Sequence, residues 1–200
     1  MGRFQLGAVT SWTESVVGQL TERFGHMPIH PPFVTIVVTV YNYERYVVDC
    51  LHSISQQSYK HFKCIVVDDC SSDGSVAAIE RFIDEQEPDS PFELVRHDSN
   101  VGQMAAFKTG LTFAEGEFLV YVDADDLLLP DFLSGHLDTH LKNIPVSFTS
   151  SDQYQINEYG EVIGGLHPDL LARGKYRLVF PHHVFSNSWV WATTSSMMFR

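Results

Sequence analysis

Between residues 33 and 123, short β-branched or apolar runs alternate with segments of helical spacing, and this alternation is the tightest constraint on the fold. Val34-Thr35-Ile36-Val37-Val38-Thr39-Val40 is an unbroken run of the kind that suits a strand buried on both faces of a parallel sheet. Residues 44–57 follow with Tyr46, Val47, Cys50, Leu51 and Ile54 on one side of a helix. Phe62–Val67 reads as a second strand ending in Asp68-Asp69, after which Ser72 or Asp73 can cap a helix that turns Val76, Ile79, Phe82 and Ile83 inward. Phe92–Val95 is a third strand, residues 102–114 a third helix, and Phe118–Val122 a fourth strand. Short connections of this kind imply right-handed βαβ units and an open, mostly parallel α/β sheet flanked by helices. Beyond residue 130 the pattern loosens to a helix near 131–142, a strand near 146–150 and a less regular stretch over 151–190.

Two hundred residues with 44% hydrophobic content are enough for one domain with a sizeable core. The net charge of −12 and the lack of any Lys/Arg cluster argue against unspecific nucleic-acid binding. Cys50, Cys64 and Cys70 are odd in number and match no zinc spacing; they read as reduced thiols of a cytoplasmic protein, with Cys50 and Cys64 in the core. Residues 1–32 lack the basic start and apolar run of a signal peptide, and no apolar stretch is long enough to span a membrane. Leu6, Val9, Thr13, Val16, Val17, Leu20 and Phe24 instead mark an amphipathic helix over 4–24. That helix packs on the domain or on a second copy, or lies on a membrane surface, although only Arg3 and Arg23 supply positive charge for the latter. Pro28, Pro31 and Pro32 form a stiff linker, so the chain divides into an N-terminal extension, 1–32, and a main domain, 33–200.

In open α/β sheets, ligands bind at the carboxyl ends of the strands. Here those ends are Thr39-Val40-Tyr41-Asn42, Asp68-Asp69 and Asp123-Ala124-Asp125-Asp126. Each alone is compatible with a solvated turn, but three polar ends on one sheet point to a ligand site. The turn after the first strand, Tyr41-Asn42-Tyr43-Glu44, has no glycine, which excludes a dinucleotide fingerprint, and no phosphate-cradling Gly-rich loop with Lys follows any strand. A phosphate ligand therefore needs another source of positive charge. Asp123 and Asp125 offer one, because hard divalent cations take oxygen ligands and Mg²⁺ binds through one or two carboxylates plus substrate phosphates. The absent basic loop also argues against a sugar-nucleotide-forming nucleotidyltransferase.

Four segments, in order and spacing together, resemble family 2 glycosyltransferases: Val34–Asn42, Val66–Ser75, Asn100-Val101-Gly102-Gln103, and Gly116-Glu117-Phe118 through Asp123-Ala124-Asp125-Asp126 to Pro130. The resemblance covers Phe33 to Arg200 and implies the GT-A fold, a nucleotide-diphospho-sugar transferase-like sheet. It implies a glycosyltransferase that moves a sugar from a nucleoside-diphosphate sugar, a UDP-sugar in most members, to a saccharide or other hydroxyl acceptor. Mg²⁺ or Mn²⁺ is the implied cofactor and inversion the commoner outcome. By position, Thr39 and Tyr41 match the nucleobase pocket, with Tyr41 stacking on the base; Asp69 matches the aspartate that hydrogen-bonds the base, and Asp68 lies beside it near the nucleoside. Asp123 and Asp125 match the Asp-x-Asp (DXD) motif that meets the ribose and the metal, with Asp125 the first choice as direct ligand. Trp189, Trp191, Thr193, Thr194, Ser195 and Ser196 resemble the border of the acceptor site.

Two departures stand out. Where the family often has an Arg-Asn pair near the donor, this chain has Phe107-Lys108. The family's general base lies beyond the segment matching Phe199-Arg200, so the base is expected outside these 200 residues and residues 33–200 are expected to be an incomplete domain. Asp152 follows the fifth strand but does not match the base position, and the adjacent His182-His183 would point opposite ways on an extended chain. The competing reading is a non-catalytic module that retains a nucleotide-sugar pocket.

Overall fold

Every residue of β1 (Val34–Val40) is buried, as a central strand with helices on both faces requires. In the computed structural model, which describes residues 30–86, 88–142, 146–151, 153–157, 159–165, 177–178 and 197–200, β1 pairs in parallel with β2 (Phe62–Asp68) on one side and β4 (Phe118–Asp123) on the other. β3 (Phe92–Arg96) lies parallel outside β2. β9 (Met197–Phe199) runs antiparallel beside β4, followed by β5 (Phe148–Ser150) and β8 (Arg177–Leu178), so the sheet order is β3-β2-β1-β4-β9-β5-β8. A separate hairpin joins β6 (Tyr154–Ile156) to β7 (Val162–Gly165). The expected open, mostly parallel sheet is thus borne out. The predicted helix over 4–24, Asp152, His182-His183 and residues 189–196 lie outside the described residues.

The period-two alternation of β1 divides the core between two faces. Val34, Ile36, Val38 and Val40 meet Val47, Cys50, Leu51 and Ile54 of α1 (Val47–Ser55), Ile79 and Phe82 of α2 (Ser75–Asp84), and Leu133 and Leu137 of α4 (Phe132–Lys142). Val37 faces the other way with Ile65 and Val67, against Ala106 and Phe107 of α3 (Gln103–Thr112). Each large aliphatic side chain buried this way contributes about 1.5–3 kcal/mol. α3 runs so close to β1 that a Cβ on Gly110 would lie 2.2 Å from Val37 Cγ1. Glycine is therefore dictated there by packing and overrides its poor helix propensity.

Element ends differ from the sequence reading in instructive ways. α1 starts at Val47, because residues 44–46 form a turn tied to the next loop; Tyr46 is consequently exposed. Val76 of α2 is half-buried, while Ser75 takes the buried place at that helix's start. Cys50 and Cys64 are buried as expected, and all three cysteines are free thiols. The fifth strand begins at Phe148, and the hairpin β6–β7 occupies part of the stretch expected to be irregular. No helix of the described residues is long and apolar enough to cross a membrane.

The segment after β4 is pinned to α1 and to the residues just beyond it by Ser53 and the buried Gln57. Leu128 N donates to Ser53 Oγ at 3.0 Å, Gln57 Nε2 donates to Leu129 O at 2.7 Å, and Leu133 N donates to Gln57 Oε1 at 3.1 Å. Gln57 is fully buried, so losing either contact would strand a desolvated amide. These bonds fix where the acidic turn sits above the sheet.

Candidate functional site

The order β3-β2-β1-β4 reverses direction between β1 and β4, which opens a crevice at the carboxyl ends of those strands. Register brings the polar ends level: Thr39 is opposite Asp123, and Val40 is opposite Asp68. Thr39, Tyr41, Asp68, Asp69, Asp123 and Asp125 therefore gather along one sheet edge.

The loops after β1 and β2 are laced together. Asn42 N donates to Ser71 Oγ (2.9 Å), and Ser72 N donates back to Asn42 Oδ1 (2.8 Å). Glu44 N donates to Asp73 Oδ2 (3.1 Å), and Gly74 N donates to Glu44 Oε2 (3.0 Å). Asn42 and Cys70 sit in the left-handed region, at φ 61° and 63°, which an Asn accepts readily and a Cys does not. The lacing offsets that cost and leaves Tyr41 46% exposed beside the crevice. The N-cap of α2 is Gly74, without a side-chain cap bond; of the two residues expected to cap it, Asp73 accepts from Ser75 N at 3.0 Å from the position before the cap, whereas Ser72 serves Asn42.

Asp68 and Asp69 are both buried, yet they differ. Asp68 Oδ2 accepts from Ser71 N at 3.0 Å, while its Oδ1 is buried with no hydrogen-bond partner in the protein. A desolvated carboxylate oxygen in that state favours an incoming N–H or O–H donor. Asp69 is fully engaged: Oδ1 takes His97 Nδ1 (2.7 Å) and Val101 N (3.0 Å), and Oδ2 takes Gly102 N (2.7 Å). Burial pushes the Asp69 carboxyl up, but the His97 hydrogen bond and the two backbone N–H groups outweigh it and hold the group below the usual carboxylate range. With a carboxylate on its Nδ1 side, His97 carries hydrogen there, and its Nε2 lies 2.9 Å from Thr109 Oγ1. The helix following Asn100 is thus anchored by Asp69 from another strand end: Gly102 is the N-cap of α3, with no side-chain cap bond.

At the end of β4, Asp126 N donates to Asp123 O at 2.9 Å and closes the acidic turn. Ala124 is buried while Asp125 is exposed, so the turn alternates its side chains between the core and the crevice. Burial, then the charges of Asp126 and Asp125, push the half-buried Asp123 carboxyl up to about 6, against the pull of a hydrogen bond from Gln103. Gln103 Nε2 is 2.6 Å from Asp123 Oδ1. Tyr43 leans on the same turn: burial first, then the charges of Asp125, Asp123 and Asp126 and a hydrogen bond to Asp125, raise its phenol. Among the described residues no three His, Cys, Asp or Glu side chains form a self-sufficient metal cage. An oxygen-only set of one or two carboxylates is instead the kind of partial site that Mg²⁺ completes with waters and phosphates.

Tyr43 and His97 contact these carboxylates without belonging to any segment that carries the resemblance, and Gln103 belongs to one with no role legible there. Phe107 is buried against Tyr121, with ring centroids 4.6 Å apart, so it faces the core and not the crevice; Lys108 is exposed. Trp189, Trp191, Thr193 and Thr194 lie outside the described residues.

A family model described as "Glycosyl transferase family 2" matches residues 35–188. The chain is 34% identical over 112 residues to an uncharacterized glycosyltransferase of Haemophilus influenzae, covering 56% of this chain and 44% of that one. It is 36% identical over 100 residues to glycosyltransferase GlyA of Streptococcus pneumoniae, covering 50% of this chain and 14% of that one. The matches thus span less than half the length of these curated relatives. Among solved structures, the mannosyltransferase PcManGT from Pyrobaculum calidifontis, in complex with GDP-Man and Mn²⁺, matches with a TM-score of 0.57 and 26% identity over 72% of this chain and 46% of that one.

Proposed function

This chain belongs to glycosyl transferase family 2, and from that premise we propose that it transfers a sugar from a nucleoside-diphosphate sugar to an acceptor hydroxyl, with the donor held across the ends of β1, β2 and β4. The observation that carries this reading is the place of the acidic turn: Asp123 ends β4 opposite Thr39 of β1, where the strand order reverses, and the exposed Asp125 follows it, so that carboxylate oxygens stand where a donor's metal and diphosphate would lie. Asp125 and Asp123 would hold Mg²⁺ or Mn²⁺, which when bound neutralises the donor diphosphate and stabilises the charge on its leaving oxygen.

The other strand ends divide the remaining work. The Tyr41 ring stacks on the base, beside Thr39. Asp68 Oδ1, buried and without a protein partner, accepts a base N–H. Asp69, expected from the resemblance to make that contact, already takes three internal donors, so we assign it to holding residues 97–102. In the transfer, the acceptor oxygen forms a bond to the anomeric carbon as the bond from that carbon to the diphosphate oxygen breaks. The diphosphate leaves with the electron pair, and the hydroxyl proton goes to a general base that none of the described residues is assigned to supply. Inversion is the outcome that the resemblance favours.

We take a UDP-sugar as the donor, on the resemblance; the likeness to PcManGT, whose complex holds GDP-Man, favours a guanine nucleotide as the second reading. Both bases present a ring N–H to Asp68. Calorimetry on the full-length protein with UDP and with GDP, each with Mn²⁺, separates them. For the preferred nucleotide, Asp125→Ala is expected to weaken binding by about 100-fold, or ~2.7 kcal/mol. Equal affinities in wild type and variant would overturn the assignment of the acidic turn.

A further inference from the structure

Gln103 is placed by one strand end and acts on another. It opens α3 directly after Gly102, whose φ of +89° is a backbone state that favours glycine, although a Cβ there would meet nothing within 4 Å. The corner is therefore set by backbone conformation and by what holds it, namely the Asp69 carboxylate on Val101 N and Gly102 N. His97 braces the same carboxylate and reaches Thr109, nearly two helical turns further along α3. From this fixed corner the Gln103 side chain crosses to β4 and donates to Asp123 Oδ1 at 2.6 Å.

The choice of residue has a chemical logic. A Lys or Arg at this place would neutralise Asp123 and compete with a cation for it. An amide donates one hydrogen to one oxygen, orients the carboxylate and leaves its charge in place for something else. We propose that Gln103 is a positioning residue that sets the Asp123 carboxylate for the metal and diphosphate of the donor, and that the Asp69–His97 pair acts through it by fixing the Gly102–Gln103 corner. This rests on the reading of the acidic turn as the donor's diphosphate site.

The test compares wild type, Gln103→Ala, Gln103→Glu and Asp125→Ala in the full-length protein. Affinity for UDP and for GDP is measured with saturating Mn²⁺, and affinity for uridine and guanosine without metal. Gln103→Ala is expected to weaken nucleotide binding about 10-fold. Gln103→Glu, which replaces the donor by a further carboxylate, should weaken it more. Nucleoside affinity should fall much less than nucleotide affinity in both, and the thermal midpoint of Gln103→Ala should stay as in wild type, an outcome that a general folding defect would not give; His97→Ala should change nucleotide affinity in the same direction as Gln103→Ala. Unchanged nucleotide affinity in both Gln103 variants, with Asp125→Ala still losing it, overturns the role of Gln103 alone. Unchanged affinity in Asp125→Ala as well removes the underlying reading of the turn. Equal losses of nucleoside and nucleotide affinity in the Gln103 variants also overturn the proposal, since they would mark a collapsed pocket.

Discussion

At the end of β2, Asp69 receives His97 and two backbone N–H groups and is held below the ordinary carboxylate range; at the end of β4, Asp123 accepts from Gln103 yet is driven up to about 6 by burial and by Asp126 and Asp125. Both are carboxylates at the carboxyl end of a parallel strand, on either side of β1. The difference lies in where the compensating positive charge comes from. The first is satisfied from inside the protein and so behaves as framework. The second is pushed up by burial and by its acidic neighbours, the setting in which we propose that a cation binds with the donor. Acidic residues at strand ends are thus not equivalent signals: the surroundings of Asp69 hold its charge in place, and those of Asp123 oppose it.

If Asp69 is framework, removing it should cost stability more than any change at the turn. Asp69→Ala strands His97 and the Val101 and Gly102 N–H groups, and is expected to lower the unfolding free energy by about 3 kcal/mol in urea titration. A loss under about 0.5 kcal/mol, the range of an ordinary surface substitution, would break the contrast.

The turn should respond with the opposite sign. A carboxyl whose folded pKa is raised binds its proton more tightly when folded, so its contribution is lost as pH rises through the folded value, here about 6. At pH 8 the ionised turn repels itself, and Asp123→Asn should stabilise the protein by about 1 kcal/mol, a figure already reduced for the partial exposure of the group. The gain should vanish by pH 4. It is read as variant minus wild type because His136, whose burial and the nearby His140 press its pKa down to about 3, costs stability in both proteins as pH falls below about 6.5. A destabilising Asp123→Asn at pH 8 would place Asp123 with Asp69 as framework.

How far the sequence reveals these features depends on the range of the forces involved. The parallel half of the sheet is legible because burial on both faces produces unbroken runs such as Val34–Val40, a local signal. Of the antiparallel half only β5 is legible, as the strand expected near 146–150; β8 and β9 are two and three residues long, and the pairing of all three is set across long sequence separations. The acidic turn is legible as three carboxylates in four residues, directly after an apolar strand. The satisfaction of Asp69 is not, since its partners lie 28 to 33 residues away and His97 belongs to no recognisable motif. Only the fold reveals that the helix opening after Asn100 is held by Asp69 from the end of β2. Tyr43 is hidden in a turn whose most visible property is its lack of glycine, and its hydroxyl finds Asp125 only when β1 and β4 are neighbours.

The most direct test of the ligand-seeking turn is the ionisation of Asp123 itself, followed by carboxyl-carbon NMR on the full-length protein with and without Mg²⁺ plus UDP, and again with GDP. We expect a midpoint near 6 in the free protein. With nucleotide and Mg²⁺ at saturation the midpoint should fall below about 4, because a cation beside the carboxylate favours its charged form. A midpoint that stays near 6 at saturating nucleotide and Mg²⁺ would contradict the assignment of this turn to the donor's metal and diphosphate.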